Sequence, residues 1–102
     1  MPSHELSADA ETDIIEITAY TYENHGLTQT LKYIDNLEKC AAKLATGDGD
    51  YKELLGIHPQ LRAKHCQHHH IFGVMRKFQP MLVVAILHER MELIIRLQKR
   101  LE

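Results

Sequence analysis

The strongest pattern in the chain is a run of seven apolar residues, Met81-Leu82-Val83-Val84-Ala85-Ile86-Leu87, that ends abruptly in His88-Glu89-Arg90. Its length and its Val and Ile content predict a strand buried on both faces, and Pro80 marks its start. This strand is expected to be the central and most buried one of its sheet. Upstream, 61–66 alternates as one strand and 69–76 as a second, with turns at Gln67-His68 and at 77–80. Links this short demand antiparallel neighbours. After His88 the period becomes helical: Met91, Ile94, Leu97 (or Gln98) and Leu101 share one face, and Arg96, Lys99 and Arg100 place cations near the C-terminus.

The first half is helical. Ser3-His4-Glu5-Leu6 reads as a short strand-like entrance. Ser7 then suits a helix N-cap, with Asp9 and Glu11 in the first turn. Ala10, Ile14, Ile17 and Tyr20 (or Thr21) recur at helical spacing, and Gly26 is placed to end that helix in a left-handed conformation. A second helix follows at once, with Leu27, Leu31, Ile34, Leu37, Ala41, Leu44 and Ala45 as its apolar stripe. It stops at Thr46-Gly47-Asp48-Gly49-Asp50. The connector up to Gln60 is irregular, with Tyr51-Lys52-Glu53-Leu54-Leu55 as one possible helical turn. The order strand, helix, helix, three strands, helix gives an α+β fold: an N-terminal strand and helical hairpin packed on a small antiparallel sheet, with a C-terminal helix.

The chain has 102 residues, which predicts one domain over 1–102. No basic and apolar leader opens it, and the run at 81–87 is too short to span a bilayer. These features predict a cytoplasmic protein without a membrane segment. Two cysteines, Cys40 and Cys66, then read as free buried thiols, with a disulfide between them as the alternative. The net charge of −2 hides an asymmetry: residues 1–51 hold three Lys/Arg against ten Asp/Glu, and residues 52–102 hold nine against four. The basic half either meets an acidic protein segment or nucleic acid, or is complemented by the acidic half within the fold.

Three constellations could carry chemistry. His65-Cys66-Gln67-His68-His69-His70 is rich in metal ligands, but it lacks the partner spacings of known zinc sites, so no metal and no cofactor are expected. His88, Glu89 and Arg90 at a strand end could supply an acid, a base and a phosphate clamp, although a histidine seated under the C-terminal helix is the plainer reading. Arg62, Lys64, Arg76 and Lys77 could gather on the same sheet and, with His88 and Arg90, form a target- or partner-binding surface. Asp48, Asp50 and Glu53 fail the spacing of a calcium loop.

Ile86-Leu87-His88-Glu89-Arg90-Met91-Glu92 resembles the I-L-H-x-R-M-D signature of ParE-type toxins, members of the RelE/ParE superfamily of toxin–antitoxin modules. Leu61-Arg62 and His69-His70-Ile71-Phe72 are similar to that family's L-R and H-x-I-F-Y strands. Residues 6–17 are similar to its opening helix, and Gly26, Tyr33, Ile34 and Leu37 to its second helix. The departures are Glu92 for Asp, Gly73 for an aromatic residue (which would leave its strand under-packed or its backbone exposed), and a connector without the usual Pro and Gly pattern. The resemblance implies a toxin neutralised by a ParD-like antitoxin that wraps the helical hairpin and the sheet. It also implies non-catalytic inhibition of DNA gyrase. Ribosome-dependent mRNA cleavage of the RelE kind is the alternative, and a non-toxic interaction domain is a third reading. The absence of any tyrosine after Tyr51 weighs against a tyrosine base on the later strands, and no sequence-specific nucleic-acid binding by the chain alone is expected.

Overall fold

The chain begins with a short strand, β1 (His4–Leu6), and turns directly into helix at Ser7. The Ser7 side chain accepts the Ala10 N–H at 3.1 Å, and Asp9 and Glu11 face the free amides of the first turn. A computed structural model describes residues 2–102. The helical segment α1 runs over Ala8–Thr46 but is interrupted at Gly26, whose φ of 81° and ψ of 178° are not helical. A straight helix of 39 residues would run for about 58 Å, longer than the 38 Å greatest extent of the molecule. The two arms therefore fold back, and Ala10 and Ile17 from the first share one core cluster with Leu37, Ala41 and Leu44 from the second. Gly47, left-handed at φ 80°, ends the second arm as the breaker cluster predicts.

Only part of each predicted apolar stripe is buried. Thr21 rather than Tyr20 continues the buried face of the first arm, and Leu27 and Leu31 beside the kink are exposed.

The expected helical turn near Tyr51 is instead an edge strand, β2 (Lys52–Glu53). It pairs antiparallel with β3 (Leu61–Cys66), whose ladder outweighs the helical propensity of so short a segment. Then follow β4 (His69–Arg76), β5 (Gln79–His88) and the helix α2 (Leu93–Leu101). The strand order is β1-β5-β4-β3-β2, with β1 parallel to β5 and the other pairs antiparallel. The middle position thus belongs to β4, not to β5. β5 is nonetheless the most buried strand, with 81 and 83–87 all inaccessible. The link between β4 and β5 is tighter than expected: Arg76 pairs with Gln79, leaving Lys77-Phe78 as the turn and Pro80 inside the strand.

Both sheet faces are covered. Met81, Val83 and Ile86 pack under α1, whereas Val84, Ala85 and Leu87 pack with Phe72, Leu61 and Leu97 of α2. This distribution needs a break in the alternation, and the pairing supplies it. Phe72 opposes Ala85 and Gly73 opposes Val83, so Val84 is an extra residue in the ladder. Gly73 is not under-packed: the Met81 side chain fills the space, and a Cβ there would lie 2.7 Å from Met81 Cε. In α2 the buried face is Leu93, Leu97 and Leu101, while Met91 and Ile94 are exposed. The predicted face is therefore turned, because Arg100 rather than Met91 fixes the docking of this helix.

Cys40 of α1 and Cys66 of β3 form a disulfide with Cα atoms 6.3 Å apart, so the free-thiol expectation is corrected. The pairing arises because the second arm lies against the end of β3, which composition could not reveal. Closing a loop with a sequence separation of 26 restricts the unfolded chain and stabilises the fold by about 3 kcal/mol. Dithiothreitol, or the change of both cysteines to serine, should lower the urea midpoint accordingly. An unchanged midpoint would show that the bond contributes nothing.

Candidate functional site

The C-terminal end of β5 opens into a cleft of about 1110 Å³ between the two arms of α1 and the start of α2. Its base is an ion pair. Asp13 lies on the buried side of α1, spaced with Ala10 and Ile17. Its Oδ2 accepts the Ile86 N–H at 2.9 Å and Arg100 Nη1 at 2.8 Å, and its Oδ1 accepts Arg100 Nη2 at 2.8 Å. Arg100 Nη1 also donates to the Val84 carbonyl at 3.0 Å. These bonds to Asp13 hold the Arg100 pKa above its ordinary value despite partial burial.

One wall is the β3–β4 turn, fastened to α1. Gln67 adopts φ 60°, an uncommon value for a residue with a side chain. Its side chain secures the turn: Nε2 donates to the Tyr33 carbonyl at 3.1 Å, and Oε1 accepts Asn36 Nδ2 at 3.2 Å. The Tyr33 hydroxyl accepts the His68 N–H at 3.1 Å and lies 2.6 Å from His69 Nδ1. Burial raises the Tyr33 pKa, so the phenol keeps its proton and donates it to Nδ1. Burial and the neighbouring imidazoles of His88 and His68 lower the His69 pKa to about 4. His69 is therefore neutral at pH 7, with its own proton on Nε2.

His88 lies opposite His69 across β4 and β5, the rings edge to face at 5.2 Å. Its Nδ1 accepts the Arg90 N–H at 3.1 Å. Glu89 is held by its own N–H, which donates to the His68 carbonyl at 2.9 Å. Its carboxylate meets His65 Nε2 at 3.0 Å and His68 Nδ1 at 3.2 Å, bonds that lower its pKa. Both half-buried imidazoles in the cleft have thus committed the Nδ1 lone pair, and the carboxylate beside them is already paired. The arrangement offers hydrogen-bond donors rather than a free base.

Of the six residues expected to form a binding surface, His88 and Arg90 lie in the cleft. Arg62 reaches back to the Leu44 carbonyl at 3.0 Å and covers the Tyr51 ring, and Lys64 donates to the Asp50 carbonyl at 2.8 Å. Arg76 bridges Glu5 and the Pro80 carbonyl, and Lys77 lies over Phe78 in the tight turn. These four cations are spread over separate positions, three of them holding backbone carbonyls. The histidine run is also divided: Cys66 is in the disulfide, and no group of three or more His, Cys, Asp or Glu suited to a metal ion occurs among the described residues. Asp13, Tyr33, His69 and Arg100 were missed as site residues. An acid on the apolar stripe of the first helix was the one available signal for Asp13. Tyr33 brings a tyrosine to the sheet from α1, although the later strands themselves carry none.

The family model described as ParE toxin of type II toxin–antitoxin system, parDE, matches residues 5–93. The chain belongs to the ParE toxin family. A relative from Escherichia coli named Toxin ParE is 44% identical over 102 residues, covering 100% of this chain and 99% of that protein. A type II toxin has a cognate antitoxin, so a protein partner is part of what this family member does. No helix among the described residues is long and apolar enough to cross a membrane.

Two consequences can be measured. Asp13→Ala leaves Arg100 and the Ile86 N–H without their acceptor and should cost about 3 kcal/mol or more in urea unfolding; a loss under about 0.5 kcal/mol would show that the pair is dispensable. His69 binds its proton less readily folded than unfolded, where its pKa is about 6.5. Its contribution to stability is complete above about pH 6.5 and is lost as the pH falls through about 4. An NMR titration should give His69 a midpoint near 4, with the Nε2–H tautomer above it. A midpoint near 6.5 would refute this assignment.

Proposed function

We propose that this ParE-family toxin arrests growth by binding DNA gyrase in the cytoplasm without catalysing a reaction, and that a ParD-like antitoxin neutralises it by covering the helical arms and the sheet. The observation that carries the non-catalytic reading is the state of the cleft imidazoles. The Nδ1 lone pair of His69 is bound by Tyr33 and that of His88 by the Arg90 amide, so neither is poised to take a proton from a ribose hydroxyl. The protonated Tyr33 is likewise no base. Exposed Tyr20, Leu27 and Leu31 on α1, with Ile94 and Ile95 on α2, offer apolar surface of the kind a partner protein covers.

The test is a supercoiling assay with purified gyrase, run beside mRNA analysis in cells expressing the toxin. The expected result is loss of supercoiling, relief by the antitoxin, and intact mRNA at growth arrest. His69→Gln and His88→Gln variants that remain folded should still arrest growth. Cut mRNA with normal supercoiling would replace this reading with the nuclease, and unimpaired growth would remove both.

A further inference from the structure

The Cys40–Cys66 bond has an alternative within the same fold. Cys66 ends β3 and packs with Leu37, Ala41 and Leu44 of the second arm, so its sulfur is covered by apolar contact as well as by the bond. The turn that follows has fastenings of its own, from Gln67 to Tyr33 and Asn36. Cys66 Sγ also lies 3.6 Å from the Asn36 carbonyl, an acceptor in place for an S–H once the bond is open. Both redox states are therefore compatible with one fold. In a reducing compartment, disulfides are as a rule transient or redox-sensing rather than structural.

The surroundings of the bond are those of an exchange site. Cys40 is half-buried and Cys66 is 3% exposed, so an incoming sulfur reaches Cys40 first. Both cysteines line a second cleft, of about 340 Å³, together with Lys39, Lys43, Lys64 and His65. Lys43 is one helical turn from Cys40, and Lys64 shares the face of β3 that carries Cys66. Lys39 meets Asp35 at 3.0 Å and Lys64 holds the Asp50 carbonyl, but no Asp or Glu lines this cleft among the described residues. Cations beside a sulfur favour the thiolate, the form that exchanges, and attract a reductant that carries carboxylates.

We propose that Cys40 and Cys66 form a reversible thiol–disulfide site for a small thiol bearing carboxylates, such as glutathione, and that its state sets how firmly one wall of the main cleft is held. The thiolate of the reductant attacks Cys40 Sγ. The bond between the cysteines breaks, and its electron pair goes to Cys66 Sγ, which takes a proton and turns to the Asn36 carbonyl. A second thiolate attacks the reductant's sulfur in the mixed disulfide and frees Cys40 as a thiolate beside the lysines. Two small thiols are oxidised to their disulfide and one protein disulfide is reduced; the reverse sequence closes the bond. Opening it removes one of the ties between the second arm and the end of β3, next to the turn that carries His68 into the main cleft. The proposal rests on the cytoplasmic setting of the functional reading, not on its choice of target.

The test uses the purified full-length toxin without denaturant. Excess reduced glutathione should open the bond and oxidised glutathione should close it again, as read by thiol alkylation and mass spectrometry. Lys39→Gln with Lys43→Gln should slow opening by glutathione about 10-fold and leave opening by the neutral thiol β-mercaptoethanol unchanged. In Cys66→Ser, Cys40 should take up glutathione from its disulfide; in Cys40→Ser, the buried Cys66 should not. On opening, the His68 amide, which donates to Tyr33, should lose protection from hydrogen exchange, while amides of β1 at the far edge of the sheet stay unchanged. A bond that glutathione opens only in urea is a static brace and overturns the site. Opening that the lysine changes do not slow overturns the anionic thiol as its ligand. An unchanged His68 amide overturns the link to the main cleft. Each of these results leaves gyrase inhibition and neutralisation by an antitoxin standing, since those are read by supercoiling and growth.

Discussion

The structure depends on one buried carboxylate. Asp13 joins three elements: α1, which carries it, β5 through the Ile86 amide, and α2 through Arg100, which also reaches the Val84 carbonyl of β5. A buried charge left alone would be strongly unfavourable, so its partners are obligatory rather than decorative. The helix α2 has nine residues and only Leu97 fully buried, too little apolar contact to set its rotation. Arg100 sets it, which explains why Ile94 and Ile95 face outward. The same pair finishes the β5 edge where β1 ends, and so marks where the cleft begins.

A second set of bonds ties the other side of the cleft to the same helix. Tyr33, Asn36 and Cys40 follow one another along the second arm at helical spacing and meet His69, Gln67 and Cys66. A hydroxyl, an amide and a disulfide thus hold the β3–β4 turn in register against α1. Gln67 can keep its positive φ because its side chain is bonded at both ends. His69, next to this turn, is thereby held as a donor through Nε2. Such rigidity lowers the ordering cost of binding a partner.

The site was less legible in the sequence than the frame around it. Period alone identified the strands at 61–66 and 69–76 and the buried run at 81–87, because alternation and uninterrupted apolarity are local properties. Ser7, Gly26 and Gly47 marked where helices begin, bend and stop for the same reason. The charged end of β5 was visible as His88-Glu89-Arg90, but its bonds were not. Each runs to a residue distant in sequence or depends on a turn, as with Glu89 and His65 or His69 and Tyr33.

What the sequence determined by itself was the fold class, the order of most elements and the kinship with ParE toxins, because these follow from spacing and residue type along one line. Tertiary structure decided the sheet order with β4 in the middle, the β2 edge strand, the Cys40–Cys66 bond and the face on which α2 docks. Each of these is a choice between partners that are all locally acceptable. It is settled by which groups would otherwise be buried without a bond, and that sum exists only once the chain has closed around Asp13.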